Sequence, residues 1–193
     1  MNSKFIKQTL VITLTFLSLQ LYAGWFSSDV FICDKTGETQ IRNGTLYLPN
    51  ESEGVTATNS CAYQNDQQAI LGDYEDGLKN GVWTRWYDNG QKTSEELYKN
   101  GQLDGVSTEW YKNGQKKTEK SYKGWKLDGM STEWHRDGLK DAEESYKNGQ
   151  LDGVSTKWRD GKKISEESYK DGNKDGIWIF WYDNGNKAYD ESY

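Results

Sequence analysis

Short runs of alternating hydrophobic and polar residues, separated by glycine-containing dipeptides, fill the chain from residue 74 onward. In residues 98–121, for example, one run covers about 106–111 and another about 115–122. Neither run is long enough for a helix, and the first alternates with a period of two, which is typical of a strand. Asn100-Gly101, together with Asp104-Gly105, precedes the first run, and Asn113-Gly114 separates the two runs. These dipeptides supply the positive φ that tight turns need. The pattern therefore predicts two antiparallel strands in this stretch.

This pattern recurs with a period of 24 residues, shortened once to 23. Five units fill residues 74–193, and a fixed period of this length is typical of a stacked repeat protein. We therefore expect an all-β fold, an elongated open antiparallel sheet of about ten strands built from stacked β-hairpins. The aromatic residues that mark the units are Tyr74, Tyr98, Tyr122, Tyr146, Tyr169 and Tyr193, together with Trp86, Trp110, Trp134, Trp158 and Trp181.

The first strand of each unit carries an aliphatic residue and a tryptophan on one face, with a threonine between them in four of the five units. In the first unit these residues are Val82, Thr84 and Trp86. Cross-strand neighbours on one face are the unit of sheet stability, so we expect the tryptophans to form a packed structural ladder along the sheet. Residues such as Ser107 and Glu109 on the other side of interior strands predict a solvated face.

The turn at Asn89-Gly90 decides whether the tyrosines join this ladder. A two-residue loop would place Tyr98 on the face opposite Trp86, whereas a three-residue loop with a bulge at the glycine would place both on one face. We favour the bulge, because it assembles one face from all the repeated aromatic residues. The fourth unit lacks one residue in this turn, at Asp160-Gly161, which predicts a local irregularity there.

In the first and last units, aromatic residues also occupy the face opposite the repeated tryptophans such as Trp86. Aromatic residues exposed together are typical of a binding site, so these side chains form a candidate interaction patch. The alternative is that each end packs against another part of the chain or against a second copy. The patch consists of Trp83, Tyr87, Trp178, Phe180 and Tyr182.

The N-terminal residues 1–23 have the features of a secretory signal peptide. Lys4 and Lys7 give a positive start, residues 9–21 are mostly apolar, and Ala23 offers a small residue for cleavage. An apolar stretch of about 13 residues is shorter than the roughly 20 that span a bilayer. We therefore expect a secreted or periplasmic protein with no stable membrane insertion after the signal is removed.

Both cysteines lie between this signal and the repeats, and we expect a Cys33–Cys61 disulfide because exported proteins meet an oxidising environment. Residues 24–73 contain two stretches that read as short strands, at about 29–33 and 45–48, with a turn between them. Repeat arrays need ends that do not invite further stacking, so a disulfide-linked N-terminal cap fits this segment. An unstructured leader tied down by one disulfide is the alternative.

Composition supports a folded, acidic, non-catalytic protein. The chain has 9 Trp and 13 Tyr but a single Pro, which disfavours disorder despite the low aliphatic content. Without Lys4 and Lys7, 22 basic and 30 acidic residues give a net charge of −8, which disfavours binding to nucleic acid. His135 is the only histidine, and no nucleophile–base set, metal motif or phosphate loop accompanies it. We therefore expect no enzyme activity and no cofactor.

One segment resembles half of a calcium loop. Residues 171–176 follow the D-x-N-x-D-G pattern, but the twelfth position, which should be glutamate, is Tyr182. The flanking residues predict strands and not helices. Whether calcium binds near Asp171 and Asp175 stays open from the sequence.

The motif Tyr-x-x-Gly-x-x-x-Gly-x-x-x-x-Trp-Tyr-x-x-Gly, at residues 98–114, resembles the MORN-repeat variant found in many bacterial proteins. The resemblance covers residues 74–193. It implies hairpins stacked into an elongated, twisted, open sheet that acts as a scaffold for proteins or lipids and carries no catalytic residue. Some families with this repeat are labelled as antitoxins of toxin–antitoxin pairs.

Together these observations predict an exported, non-enzymatic scaffold that binds another protein of the envelope or extracellular space. A cell-wall or carbohydrate-binding array is the first alternative, and an antitoxin-like inhibitor of a partner protein is the second. A glycan-binding array predicts aromatic side chains exposed at a regular step along the sheet. The scaffold predicts that they are packed and that only the end patch is open.

Overall fold

A computed structural model of the chain describes residues 40–42, 45–47, 57–63 and 65–193. These residues form strands and turns, with no helix that could span a membrane. The signal peptide and Cys33 lie outside the described residues, so both the signal and the Cys33–Cys61 disulfide stay predictions. The strands are β1 Gln40–Arg42, β2 Thr45–Tyr47, β3 Ala57–Ala62, β4 Gln68–Glu75, β5 Leu78–Trp86, β6 Lys92–Lys99, β7 Gln102–Trp110, β8 Lys116–Lys123, β9 Lys126–Trp134, β10 Lys140–Lys147, β11 Gln150–Arg159, β12 Lys162–Lys170, β13 Asn173–Trp181 and β14 Lys187–Ser192.

Strands β3 to β14 form one open sheet in which every strand pairs antiparallel with its neighbours in the sequence. The all-β sheet of stacked hairpins is therefore confirmed. Ten of its strands, β5 to β14, belong to the five predicted units. Strands β1 and β2 pair with each other in a separate two-stranded sheet, in which residues 45–47 confirm most of the strand predicted at about 45–48.

The sheet begins one hairpin earlier than the repeat pattern indicates. Strands β3 and β4 pair with each other, and β4 pairs with β5. The turn between β3 and β4 has the same hydrogen bonds as the three-residue turns of the units, from Tyr63 N to Gln67 O and from Asp66 N to Tyr63 O. The sequence signals for this hairpin include Tyr63, Asn65 and Gln67, which lie 24 residues before Tyr87, Asn89 and Gln91. Part of the predicted cap is therefore a divergent repeat.

Each unit uses two kinds of turn. Asn100-Gly101 is a two-residue loop with φ of 49° and 77°, closed by Lys99 and Gln102. The other turn is a three-residue loop in which Tyr87 O accepts from Gly90 N, and Gly90 has φ of 81°. This is the bulge that the sequence predicts.

The fourth unit confirms the predicted irregularity. Its turn contains one residue fewer, and Asp160 and Gly161 adopt φ of 50° and 73°, as in a two-residue loop. Trp158 nevertheless lies opposite Lys163, just as Trp86 lies opposite Lys92 in the first unit. The shorter loop absorbs the missing residue, and the register of the sheet is kept.

A second bulge places the tyrosines on the other face, and the expectation of a single aromatic face is wrong. Trp86 lies opposite Lys92, but Arg85 lies opposite Ser94, so Thr93 is an extra residue. Because side chains alternate along a strand, one extra residue exchanges the two faces for the rest of β6. Tyr98 consequently lies opposite Gly81 and faces away from Trp86. We call the two sides the tryptophan face and the tyrosine face.

Of the two dipeptides that predict a turn before this strand, Asn100-Gly101 forms one, and Asp104-Gly105 does not. Strand β7 starts at Gln102 and runs through this dipeptide, where Gly105 has φ of 132° and the register with β6 shifts. The glycine therefore forms a bulge within the strand, a position at which positive φ is expected. A dipeptide that suits a turn suits a bulge equally well, so the sequence does not distinguish them.

Candidate interaction surface

The predicted patch does not form an open surface, because its two tryptophans are buried. Trp83 is 2% exposed and Trp178 is 8% exposed. The expectation that interior units expose their tyrosine face holds for His135, Lys157 and Arg159, whereas Ser131 and Ser155 are buried, at 3% and 2% exposure. Both serines lie opposite Glu144, and its longer side chain stands between them.

Trp83 is the centre of an aromatic cluster at the β4 end of the tyrosine face. Its ring centre lies 4.9 Å from that of Tyr74 and 6.4 Å from that of Tyr98, and both contacts are edge-to-face. The indole Nε1 donates to Asp73 O at 3.0 Å. Lys79 covers the ring, with Nζ 4.3 Å from its centre.

Trp178 repeats this arrangement in the last unit. Its ring centre lies 5.0 Å from that of Tyr169 and 5.3 Å from that of Tyr193, and Nε1 donates to Ser168 O at 2.8 Å. Lys174 covers this ring at 4.0 Å. The alternative in which each end packs against its own chain therefore holds for both tryptophans.

The two buried tryptophans, Trp83 and Trp178, occur together with a lysine at a second position of the repeat. Interior units replace the tryptophan with Ser107, Ser131 or Ser155, and at the lysine position these units have leucine. Lys79 thus accompanies Trp83 and Lys174 accompanies Trp178, whereas a leucine accompanies each serine. The apolar stem and charged end of lysine cover an indole ring while reaching solvent, which explains the pairing. The leucines are Leu103, Leu127 and Leu151.

The other residues of the predicted patch have different roles. Tyr87 is half-buried and donates its hydroxyl hydrogen to Trp110 O of the next unit at 3.0 Å. Phe180 stacks on Tyr189 with ring centres 4.6 Å apart. Tyr182 is 59% exposed, so it alone has the exposure that the patch required.

The tryptophan face carries a ladder in which tryptophan and lysine alternate from strand to strand. Lys92 lies opposite Trp86, and its Nζ lies 5.6 Å from the ring centre of Trp110 in the next unit. Lys116, Lys140 and Lys163 lie 5.5 to 5.6 Å from the tryptophans of the following units. Each of these lysines also forms an ion pair with a glutamate three residues later. The tryptophans are half-buried, and a cation lies over four of the five.

A row of exposed aliphatic side chains runs beside this ladder, across a line of buried threonines. Thr84, Thr108, Thr132 and Thr156 are 7% to 8% exposed, whereas the aliphatic side chains are 38% to 56% exposed. Aliphatic residues that the sequence pattern suggested for packing are therefore the most accessible apolar groups of this face. The aliphatic row consists of Val82, Leu97, Val106, Met130, Val154 and Ile177.

Electrostatic shifts concentrate on the tyrosine face. Burial, and then the carboxylate of Glu96, raise the pKa of Tyr98 to about 12. Its hydroxyl donates to Glu96 at 3.0 Å. Burial, and then the nearby charge of Arg85, lower the pKa of Lys79. Burial and a hydrogen bond to a glutamate also raise the pKa of Tyr146 and of Tyr169.

The candidate ligand positions do not converge on a metal site. Among the described residues, no group of three or more His, Cys, Asp or Glu side chains is arranged to hold a metal ion. Asp171 lies in a two-residue turn with φ of 47°, and Asn173 begins β13, so the calcium-like segment is a hairpin turn. His135 takes the place of the turn tyrosine, with Nε2 3.1 Å from Asp141.

The sheet and its rows of side chains together define a β-hairpin repeat protein with exposed aliphatic residues at a regular spacing. Residues 79–100, 103–123 and 174–193 match the family model of the MORN repeat variant, so the chain contains repeats of this type and the resemblance is confirmed. The family is a non-enzymatic one whose repeats generally interact with proteins or membranes. No curated protein matches the chain.

Proposed function

We propose that this protein is an exported, non-enzymatic scaffold that binds another protein of the envelope or the extracellular space along the aliphatic row. The observation that supports this most is the regular recurrence of exposed aliphatic side chains at one level of the sheet, from Val82 in β5 to Ile177 in β13. Groups of exposed apolar side chains are typical of surfaces that bind other molecules. The general role of the matched repeats agrees with this proposal.

The dimensions of the row favour an extended partner segment. Neighbouring strands are about 4.8 Å apart, so the eight steps from β5 to β13 cover on the order of 40 Å. Each unit adds two strands, and most units add one aliphatic side chain. A partner segment that lies across the strands therefore meets an apolar contact about every 10 Å.

The tryptophan ladder favours a protein partner over a glycan. Carbohydrate binding by stacking requires an open aromatic face, and here the rings are half-buried beneath lysines. A sugar ring would have to displace each lysine and break its ion pair with glutamate. The regularly spaced groups that are open to solvent are aliphatic, and these suit a protein side chain.

Export is part of the proposal because of residues 1–23, with their basic start, apolar stretch and small residue at position 23. The predicted Cys33–Cys61 disulfide agrees with an oxidising compartment. An antitoxin-like role would require a partner in the cytoplasm, so the cell fraction that contains the protein separates these two functions.

A capture experiment with row variants tests the function. The protein, purified from the producing cells, is immobilised and incubated with their envelope fraction, and retained proteins are identified after a salt wash. We expect one protein near equal stoichiometry, and we expect the triple variant Val106→Thr, Met130→Thr, Val154→Thr to lose it. Threonine suits an exposed strand position, so the fold should be kept.

A matched control places the same substitution on the other face. Lys117→Thr with Lys157→Thr changes exposed strand residues of the tyrosine face, and it should leave retention unchanged. Retention that survives the triple variant would contradict binding along the row. Retention of wall glycan without protein would overturn the scaffold in favour of the carbohydrate-binding alternative.

A further inference from the structure

The last unit holds one ammonium group among aromatic rings, on the face opposite the aliphatic row. Nζ of Lys174 lies 4.0 Å from the ring centre of Trp178 and 4.2 Å from that of Tyr193. Tyr169 lies on the other side of the indole, with ring centres 5.0 Å apart. We call Tyr169, Trp178 and Tyr193 the aromatic box. A cation that contacts more than one aromatic ring is the arrangement by which proteins recognise ammonium ligands.

Two carboxylates border the aromatic box. Glu167 and Glu191 both lie opposite Trp178, one on each neighbouring strand. Glu167 accepts a hydrogen bond from Tyr169 at 2.8 Å, and Glu191 accepts one from the hydroxyl of Tyr193. Among the described residues, neither glutamate forms an ion pair. A tyrosine that donates to a carboxylate has a more electron-rich ring, so these bonds strengthen the attraction of the box for a cation.

Lys174 is held in the box by few contacts. It is exposed, and Tyr193 beside it is 49% exposed. Within the part of the chain that the structure describes, Nζ donates one hydrogen bond, to Tyr193 Oη at 2.8 Å, and forms no ion pair. This bond raises the pKa of Lys174, and the charges of Glu191 and Glu167 act in the same direction. The box therefore favours a cation, and a second cation can replace the lysine without breaking an ion pair.

We propose that the aromatic box binds a small trimethylammonium cation such as choline, which replaces the side chain of Lys174. Quaternary ammonium groups suit such boxes because they are weakly hydrated and contact several ring faces at once. The two glutamates repel anionic groups, so choline should bind more tightly than phosphocholine or glycine betaine. The site lies on the tyrosine face, so it is an addition to the proposed scaffold and not part of the aliphatic row.

The equivalent box in the first unit is closed to such a ligand. Its three rings are only 2% to 8% exposed, and they belong to Tyr74, Trp83 and Tyr98. The glutamate opposite Trp83 is Glu96, which forms an ion pair with Arg85 at 2.8 Å. Burial, and then the charge of Arg85, lower the pKa of Lys79, which covers this box. The first unit therefore lacks both the exposure and the unpaired carboxylates of the last unit.

Titration of the full chain with choline chloride, followed by calorimetry, tests the site. We expect one choline per chain and weaker binding of phosphocholine. The tert-butyl analogue of choline, in which carbon replaces the ammonium nitrogen, should not compete. Competition by this neutral analogue, or equal binding of choline and phosphocholine, would overturn the recognition of a cation. Tighter binding of phosphatidylcholine vesicles than of free choline would overturn a free ligand in favour of a lipid headgroup.

Two variants with opposite effects connect binding to the aromatic box. Lys174→Ala removes the competing side chain and should tighten choline binding by about ten-fold, because the box is then always vacant. Glu191→Gln keeps an acceptor for Tyr193 but removes one charge, so choline binding should weaken. An unchanged affinity in either variant would contradict the proposal.

The matched control is Lys79→Ala, which removes the equivalent lysine of the first unit and should leave choline affinity unchanged. Circular dichroism of each variant checks that the sheet is kept. If Lys79→Ala tightened binding as much as Lys174→Ala, the proposal would be wrong. None of these titrations requires a protein partner, so a failure of partner capture along the aliphatic row would not affect them.

Discussion

The indole ring of Trp83 occupies the space that a side chain at position 72 would fill, because a Cβ built on Gly72 would lie 2.3 Å from Cδ2 of the ring. Gly72 lies in β4, the strand beside Trp83 in β5. The ring therefore rests on the backbone of the neighbouring strand, with Tyr74 and Tyr98 at its sides. This close approach joins the divergent first hairpin to the regular units.

Replacing Gly72 with alanine should destabilise the β4 end of the sheet by about 1–3 kcal/mol, the usual cost of forcing an extra methyl group into a packed site. The clash is with the Trp83 ring, so Gly72→Ala should cost much less in a Trp83→Ala background. Denaturant unfolding of the two single variants and the double variant gives this coupling energy. Additive effects would show that the ring and the glycine do not interact.

Neutralising a lysine of the tryptophan ladder should lower the free energy of unfolding more than neutralising the glutamate that pairs with it. Lys116→Gln removes both the contact with the Trp134 ring and the ion pair with Glu119, whereas Glu119→Gln removes only the ion pair. We expect a difference of about 0.5–1 kcal/mol, the value of an exposed cation–π contact. Thermal unfolding of both variants measures it. Equal losses would indicate that the tryptophan contributes nothing through the cation.

The stability of the fold should decline as the pH rises from 10 towards 12. The pKa of Tyr98 is raised to about 12 from the model-peptide value of 10.0, so the unfolded chain loses this proton first and binds fewer protons than the native state. The contribution is present below pH 10 and is lost as the pH rises through the raised value. Tyr98→Phe should show a shallower fall of the unfolding free energy between these limits. An unchanged slope would contradict this assignment.

Two single-residue deletions in one hairpin should differ strongly in their effect on stability. Deleting Asn89 shortens the first unit's turn to the length found at Asp160-Gly161, where the register is kept. We expect a loss of about 1–2 kcal/mol, mostly from the side-chain hydrogen bonds of the asparagine. Deleting Thr93 removes the second bulge and moves Tyr98 to the tryptophan face, so we expect that this hairpin fails to form.

Circular dichroism and denaturant unfolding of the two deletion variants check this contrast. Far-ultraviolet spectra should show a native sheet without Asn89 and reduced strand content without Thr93. A stable native sheet in the absence of Thr93 would mean that the extra residue does not control which face the tyrosine takes.

The repeat period and the ten strands of the five units follow from local patterns, whereas the hairpin of β3 and β4 lies outside the regular pattern. A bulge at Gly90 is predictable because Asn-Gly dipeptides have a small set of turn geometries. The bulge at Thr93 is not predictable in this way, because threonine within an alternating strand gives no turn signal. Each unit has an extra residue at the equivalent position, and missing it reversed the face assigned to the tyrosines that mark the repeat period.

Burial of the end tryptophans could not be read from the residues beside them. In the strand pattern, Trp83 and Trp178 stand at positions that are serine in interior units, which predicts a polar, open face. Several of their partners come from other parts of the sheet, such as Tyr74 in β4 and Tyr193 after β14. Units with a tryptophan at this position also have a lysine at the second position, whereas interior units have serine and leucine. This joint change could have indicated that the lysine covers the tryptophan.

The sequence by itself determined that this protein is a single-chain array of β-hairpins, because period and turn chemistry are local properties of the backbone. Only the tertiary structure decided which side chains share a face and which remain open, because both depend on register between strands and on neighbours distant in sequence. A one-residue shift in register exchanges the faces without changing the alternating pattern. The aliphatic row and the aromatic box around Lys174 are therefore visible only in the assembled sheet.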